Sequence, residues 1–186
     1  GVEAIRSYEP ADQTQLLGLW SRRWGRSFPL DAPLWKQNTE GDPLHFSTGR
    51  CWVAGDGVRL VGALLVKVPA APPAWTGQDP ALGWVSFLLL EPGREAEVGP
   101  RLTGWALSWL RGAGLRRAAY GGEPSHFFPG APEDDPLLGQ MLETAGFVRG
   151  ALVHDLIGDV RAYELPADAA PLGLGSPAAL LGPLLS

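Results

Sequence analysis

Between the apolar run that ends at Leu90 and a helical pattern beyond Arg101 the chain reads Glu91-Pro92-Gly93-Arg94-Glu95-Ala96-Glu97-Val98-Gly99-Pro100. These residue types, in this order, could bind an anion. Trp84 to Leu90 predicts a strand, and Pro92 with Gly93 stops it in a sharp turn. Val98, Leu102, Trp105, Ala106 and Trp109 then recur at helical spacing, which predicts a helix from about Val98 to Arg111. A helix start carries N–H groups without intrahelical partners and the positive end of the helix dipole. Beside an arginine and a glycine, such a start can take a phosphate or pyrophosphate. Arg94 reads either as that phosphate contact or as a solvated loop arginine. Gly99 reads either as a glycine that lets backbone approach a ligand or as one that serves helix packing.

Other reactive side chains carry less. Cys51 has no second cysteine to pair with and no Cys or His at metal-ligand spacing, so it reads as a small core residue. No metal is expected. Trp20, Trp24, Trp105 and Trp109 fall on apolar helix faces and read as core. Asp134 and Asp135 before Pro136 read as a helix cap.

The elements that must hold these residues follow from pattern. Val2 to Ser7 begins as a strand. Asp12 with Gln15 fits a capping box for a first helix whose face is Leu16, Leu19, Trp20 and Trp24. Leu34 to Glu40 reads as a short second helix. Cys51–Ala54, the turn Gly55-Asp56-Gly57 and Arg59–Val68 read as a hairpin. After the strand and helix above come a strand from Leu115 to Tyr120, a helix with Leu138, Met141, Leu142 and Ala145 on its face, and a long last strand from Phe147 to Asp159. The fold class is α/β: a mixed, mostly antiparallel central sheet with helices on both faces.

The 186 residues suit one full domain, here residues 1–163, followed by a Pro-, Ala- and Leu-rich tail, 164–186. The net charge of −5 and the scattered arginines argue against nucleic acid as a partner. No apolar run approaches the roughly 20 residues that cross a bilayer, and no signal-like segment opens the chain, so a cytoplasmic location without membrane contact is expected.

The element order, joined to the Arg94 segment, resembles the GCN5-related N-acetyltransferase family. The family's pyrophosphate loop reads Arg/Gln-x-x-Gly-x-Gly/Ala between a central strand with a proline turn and a long helix. Arg94 and Gly99 meet that pattern, Leu90-Glu91-Pro92 matches the strand end, and Leu138 to Phe147 matches the following helix and strand start. The resemblance covers roughly Ile5 to Asp159. The stretch His126-Phe127-Phe128-Pro129-Gly130, with His154-Asp155-Leu156, is similar to bacterial members that carry two such domains. That implies a second domain after this one; the apolar tail reads as the start of that missing domain, or as a segment that docks on this domain or on a neighbouring copy in a homodimer.

The resemblance implies an acyl-CoA-dependent N-acyltransferase that moves an acetyl group from acetyl-CoA to a primary amine on a small molecule or peptide. Main-chain groups of Leu88 and Leu90 would hold the pantetheine arm on a splayed strand edge. Backbone N–H groups of Val98, Gly99 and Arg101, with the Arg94 and Arg101 side chains nearby, would hold the phosphates. On the acceptor side His126, Tyr120 and Glu123 are candidates for proton transfer, His45 is a weaker one, and His154 reads as structural. Trp35 and Trp75 are candidates for acceptor contact. Three residues depart from the pattern. Glu97 stands where a loop glycine is expected, Pro100 lacks an N–H, and Leu142 stands where the family often places a tyrosine acid. These departures keep open a rival reading, a non-catalytic acyl-CoA-binding or regulatory module.

Overall fold

The structure, a computed structural model, describes residues 1, 4–42, 50–68 and 79–152. Up to Ala151 these belong to one compact unit. Among the described residues five strands form a single sheet in the order of the chain: β1 (Ala4–Ser7), β2 (Arg50–Gly55), β3 (Leu60–Lys67), β4 (Leu82–Leu90) and β5 (Arg117–Tyr120). The first three pairings are antiparallel and β4–β5 is parallel. A parallel pair needs a crossover, and α3 (Glu95–Gly112) supplies it. The other α-helices among the described residues are α1 (Gln13–Trp24), α2 (Ala32–Asn38) and α4 (Pro136–Thr144).

β3 and most of β4 are buried residue after residue, as central strands covered on both faces must be. One face meets α3. A Cβ on Gly62 would lie 2.6 Å from Val98 and 2.9 Å from Leu102, so only a glycine lets α3 sit this close. The other face meets α1 and α2, where Trp20 and Trp35 pack on Phe87 and on Phe127. Trp20 also stacks on Phe128 at 5.3 Å. The expected helices on both faces of a mixed sheet are therefore present.

Several expectations are corrected. Asp12 does not cap α1 through Gln15. It accepts from the Glu9 N–H at 2.8 Å and from both Arg6 guanidinium nitrogens at 2.7 Å, a charge-assisted pair stronger than a neutral cap. Gln15 instead accepts from the Leu60 N–H at 2.9 Å and ties α1 to β3. Trp105 is half exposed rather than core. Trp35, read as an acceptor contact, is buried among Tyr8, Phe87 and Phe127. Residues 147–152 form no strand, and the rest of that predicted strand lies outside the described residues. The tail, His45, Trp75 and His154 lie outside them as well.

Candidate functional site

The informative geometry is a split in the sheet. β5 pairs with β4 only from Leu82↔Arg117 to Val85↔Tyr120. At that level the β3–β4 register slips: Val66 faces Val85 and Leu65 faces Phe87, so Ser86 is an extra residue on β4. Such a bulge bends its strand and re-aims a side chain. From Ser86 to Leu90, β4 has no strand neighbour on the β5 side among the described residues. This is the open edge expected beside Leu88 and Leu90. The Leu88 N–H donates across the gap to the Tyr120 hydroxyl at 3.3 Å. Burial lifts that phenol above its ordinary range, so it keeps its own proton.

Just past β5 the chain turns on Gly121 (φ 67°) and Gly122 (φ 78°), conformations that favour glycine. The turn delivers Glu123 back onto the bulge, where the Ser86 hydroxyl donates to Glu123 Oε1. Glu123 is fully buried, yet its Oε2 has no hydrogen-bond partner. Lys67 Nζ stands 3.7 Å from Glu123 Oε1, 3.1 Å from Asp42 Oδ2 and 2.9 Å from the Ser125 carbonyl that accepts from it. The Phe127 ring lies below it, 5.8 Å from the ammonium. A Cβ at Gly121 would stand 2.5 Å from the Phe128 carbonyl oxygen. We expect Gly121→Ala to cost about 2 kcal/mol or more of stability by strain and clash, read as a fall in the urea midpoint. An unchanged midpoint would show that the turn relaxes freely.

Neither lysine nor Asp42 stood out in the sequence as functional. The signal was there: Lys67 is the one charged residue in the apolar run Leu60 to Val68, and a buried ammonium requires an acidic partner. His126 Nδ1 contacts the Glu123 carbonyl at 2.9 Å, and its own carbonyl accepts from Asn38 at 3.1 Å, so this histidine fastens the loop over the cluster. Cys51 is buried and its thiol is pushed far up by that burial, which rules against a nucleophile.

The mouth of α3 differs from the expected cradle. The helix begins at Glu95, three residues before the predicted start. The Val98 N–H is thereby committed to the Arg94 carbonyl at 3.0 Å. Gly99 is buried against α4, where an added Cβ would lie 2.5 Å from Met141 Sδ; it serves packing. Pro100 falls inside the helix rather than at its first position. The Arg94 guanidinium is held by Glu97 at 2.7 Å and by Asp56 of the β2–β3 turn at 3.0 Å, and the Glu97 hydrogen bond lifts its pKa. Glu97, which stands where the loop glycine is expected, is exposed and pairs with Arg94. Leu142 is buried, as an apolar residue on α4 should be.

A second arginine, which the sequence did not single out, closes the other side. Arg23 at the end of α1 donates to Glu95 at 2.5 Å and to Asp135 at 2.8 Å. Burial opposes its charge, but those hydrogen bonds outweigh burial and hold it above its ordinary value. Asp135 caps α4 through the Leu138 N–H at 3.2 Å, as expected, and also accepts from Trp24. Around this clamp Arg22, Arg26, Phe28, Pro92 and Asp134 line a cleft of about 380 Å³.

The arrangement of this sheet matches solved acetyltransferase structures. The aminoglycoside 6'-N-acetyltransferase from Acinetobacter haemolyticus aligns over 85% of this chain and 99% of its own, with TM-score 0.59 at 15% identity. The chain has the GCN5-related N-acetyltransferase fold. The aminoglycoside acetyltransferase AAC(6')-Iy, bound to a CoA-linked acetylneamine bisubstrate analogue, aligns with this fold over 84% of the chain and 97% of its own, with TM-score 0.57 at 14% identity. A transcriptional regulator from Bacillus halodurans aligns over 82% of this chain and 99% of its own, with TM-score 0.57 at 18% identity. No protein-family model matches the chain, and no curated protein matches its sequence.

Proposed function

We propose that the domain is an acyl-CoA-dependent N-acyltransferase that moves an acetyl group from acetyl-CoA to a primary amine by direct attack. The observation that carries this reading is the bulge at Ser86 with the open β4 edge beyond it, lined by Tyr120 and Glu123. An amide-bearing pantetheine arm suits such an edge, since it can pair with strand main chain as a peptide does. It would take the Leu88 N–H from Tyr120, with Leu90 further along, and carry the thioester to the split. There Glu123 would accept the amine's proton and Tyr120 would return one to the departing sulfur. His126 would position the loop. At the phosphate end, Arg94 would exchange its two carboxylates for phosphate. Arg101 would add charge from the next turn. The Val98 N–H and Gly99, committed to helix and packing, would contribute through the helix dipole rather than as donors.

A second reading is favoured by the closed mouth: a non-catalytic module that keeps the fold and binds a partner or a nucleotide weakly. Calorimetric titration with acetyl-CoA, followed by thiol release over a panel of primary amines, separates the two. Binding with turnover supports the transferase; binding without turnover on any amine supports the module; no binding removes the transferase reading. Within this scheme Glu97→Gln should tighten acetyl-CoA binding by about fivefold, because it frees Arg94 and removes a like charge from the phosphate path. Equal or weaker binding in that variant would show that the phosphates pass elsewhere. An acceptor that is a small molecule or peptide, a cytoplasmic setting and a covering partner for residues 164–186 complete the proposal.

A further inference from the structure

Lys67 has no part in the reaction proposed above. Its side chain is wholly buried at the end of β3. Its surroundings form a receptor for a primary alkylammonium: two carboxylates, Asp42 and Glu123, one carbonyl oxygen at Ser125 and the face of Phe127. Carboxylates, carbonyls and an aromatic face are the groups that recognise a cation of this class. Asp42 at 3.1 Å and the Ser125 carbonyl at 2.9 Å suffice to anchor the ammonium. Glu123 is the excess. It lies beyond hydrogen-bond distance at 3.7 Å, it is held instead by Ser86 of the bulge, and its Oε2 is buried without a partner. A carboxylate oxygen left orphaned in the interior is costly and calls for an explanation. The backbone that carries Glu123 is itself in unusual conformations at Gly121, Gly122 and Ser125 (φ 54°). This amine and this carboxylate meet at the bulge where the sheet splits, and above them the loop residues Ser125 and His126 are exposed.

We propose that Lys67 is an acyl acceptor built into the chain, acylated on Nζ by a thioester bound along the open β4 edge. The inference rests on the acyl-donor reading given above. Glu123 takes one proton from the Lys67 ammonium. The neutral nitrogen forms a bond to the thioester carbonyl carbon, and the carbon–sulfur bond breaks. Tyr120 gives the departing sulfur its proton and is restored by the nitrogen's second proton. The products are an Nε-acyl lysine, a free thiol and a protonated Glu123, so charge and atoms balance. Acylation removes the positive charge from between Asp42 and Glu123, and the acylated protein is accordingly less stable than the parent.

The chain makes the test clean, because its only lysines are Lys36 and Lys67 and Lys36 is exposed. The whole chain is incubated with acetyl-CoA, its intact mass is followed, and the modified position is mapped by peptide mass spectrometry, with acetic anhydride as the control reagent. Site-directed transfer places one acetyl group on Lys67 from acetyl-CoA and lowers the melting temperature in proportion to its extent, while acetic anhydride marks Lys36 and the amino terminus first. Glu123→Gln, which keeps the shape of the side chain, should slow that transfer by about a hundredfold. Acetyl groups on Lys36 or the amino terminus alone would be solution chemistry and would overturn the proposal. Binding of acetyl-CoA by calorimetry with no mass change would overturn it while leaving the acyl-donor reading intact, and an absence of binding would overturn both.

Discussion

Lys67→Met is expected to lose about 3–5 kcal/mol of folding stability. Methionine keeps the length and the packing of the side chain but removes the ammonium. Asp42 and Glu123, both buried, then lose this ammonium. Deleting one member of a buried ion pair is far more costly than the pair is worth, because the remaining charges stay desolvated. Against a typical total of about 5–15 kcal/mol for a domain, this is a large fraction. Urea unfolding should show a lower midpoint with an unchanged slope, since the fold itself is not altered. The double variant Lys67→Met with Glu123→Gln should recover part of the loss by removing one of the stranded charges. A loss below about 1 kcal/mol in the single variant would mean that water already reaches the cluster.

Glu123→Gln is expected to lower turnover about a hundredfold or more, with the Michaelis constant for acetyl-CoA unchanged. The amide still accepts the Ser86 hydroxyl, and it loses only the longer of the contacts to Lys67. The loop therefore keeps its shape and the variant should fold. What disappears is the oxygen that can hold a proton. A structural role would move stability and binding together, whereas a proton-transfer role moves kcat alone. Thiol release measured at saturating donor and amine, beside a calorimetric binding constant, distinguishes these outcomes. Turnover equal to the parent would hand the proton to solvent and withdraw Glu123 from the chemistry.

The two variants bear on one physical situation. Charge has been placed inside the sheet at the point where β4–β5 pairing stops among the described residues. A bulge at Ser86, two positive-φ glycines and a lysine in an apolar strand each carry a cost by themselves. Their coincidence at one point is what makes the split, rather than the α3 mouth, the centre of the candidate site. The mouth is instead a meeting of salt bridges, Arg94 with Glu97 and Asp56, Arg23 with Glu95 and Asp135. A polyanionic ligand would have to displace those carboxylates, which ties its affinity to ionic strength.

The chain by itself determined most of the framework. Apolar periodicity placed β2 to β4, α1 and α3, because burial on one face or both leaves a spacing that can be counted. Asp135-Pro136 announced α4, because a cap side chain and a proline act locally. The order of these elements carried the acetyltransferase resemblance, and the solved structures share that fold. Exact helix starts were less legible. Glu95, Ala96 and Glu97 join α3 because the helix can begin directly at Arg94, whose guanidinium is held by Glu97 and Asp56, and no local pattern records that Asp56 lies next to it. The sequence predicts a strand from Phe147 to Asp159, but residues 147–152 form none, since a strand also requires a neighbour to pair with.

Which polar residues would meet was decided only in three dimensions. Asp42, Lys67, Ser86 and Glu123 are separated by up to 81 positions in the chain, and ion pairs between such residues follow from the sheet's register, not from spacing. The same holds for Arg23, which reaches from α1 to the starts of α3 and α4. Local sequence sets backbone preference and the pattern of burial. The placement of charge against charge depends on how the helices dock, and that is the information the linear pattern does not contain.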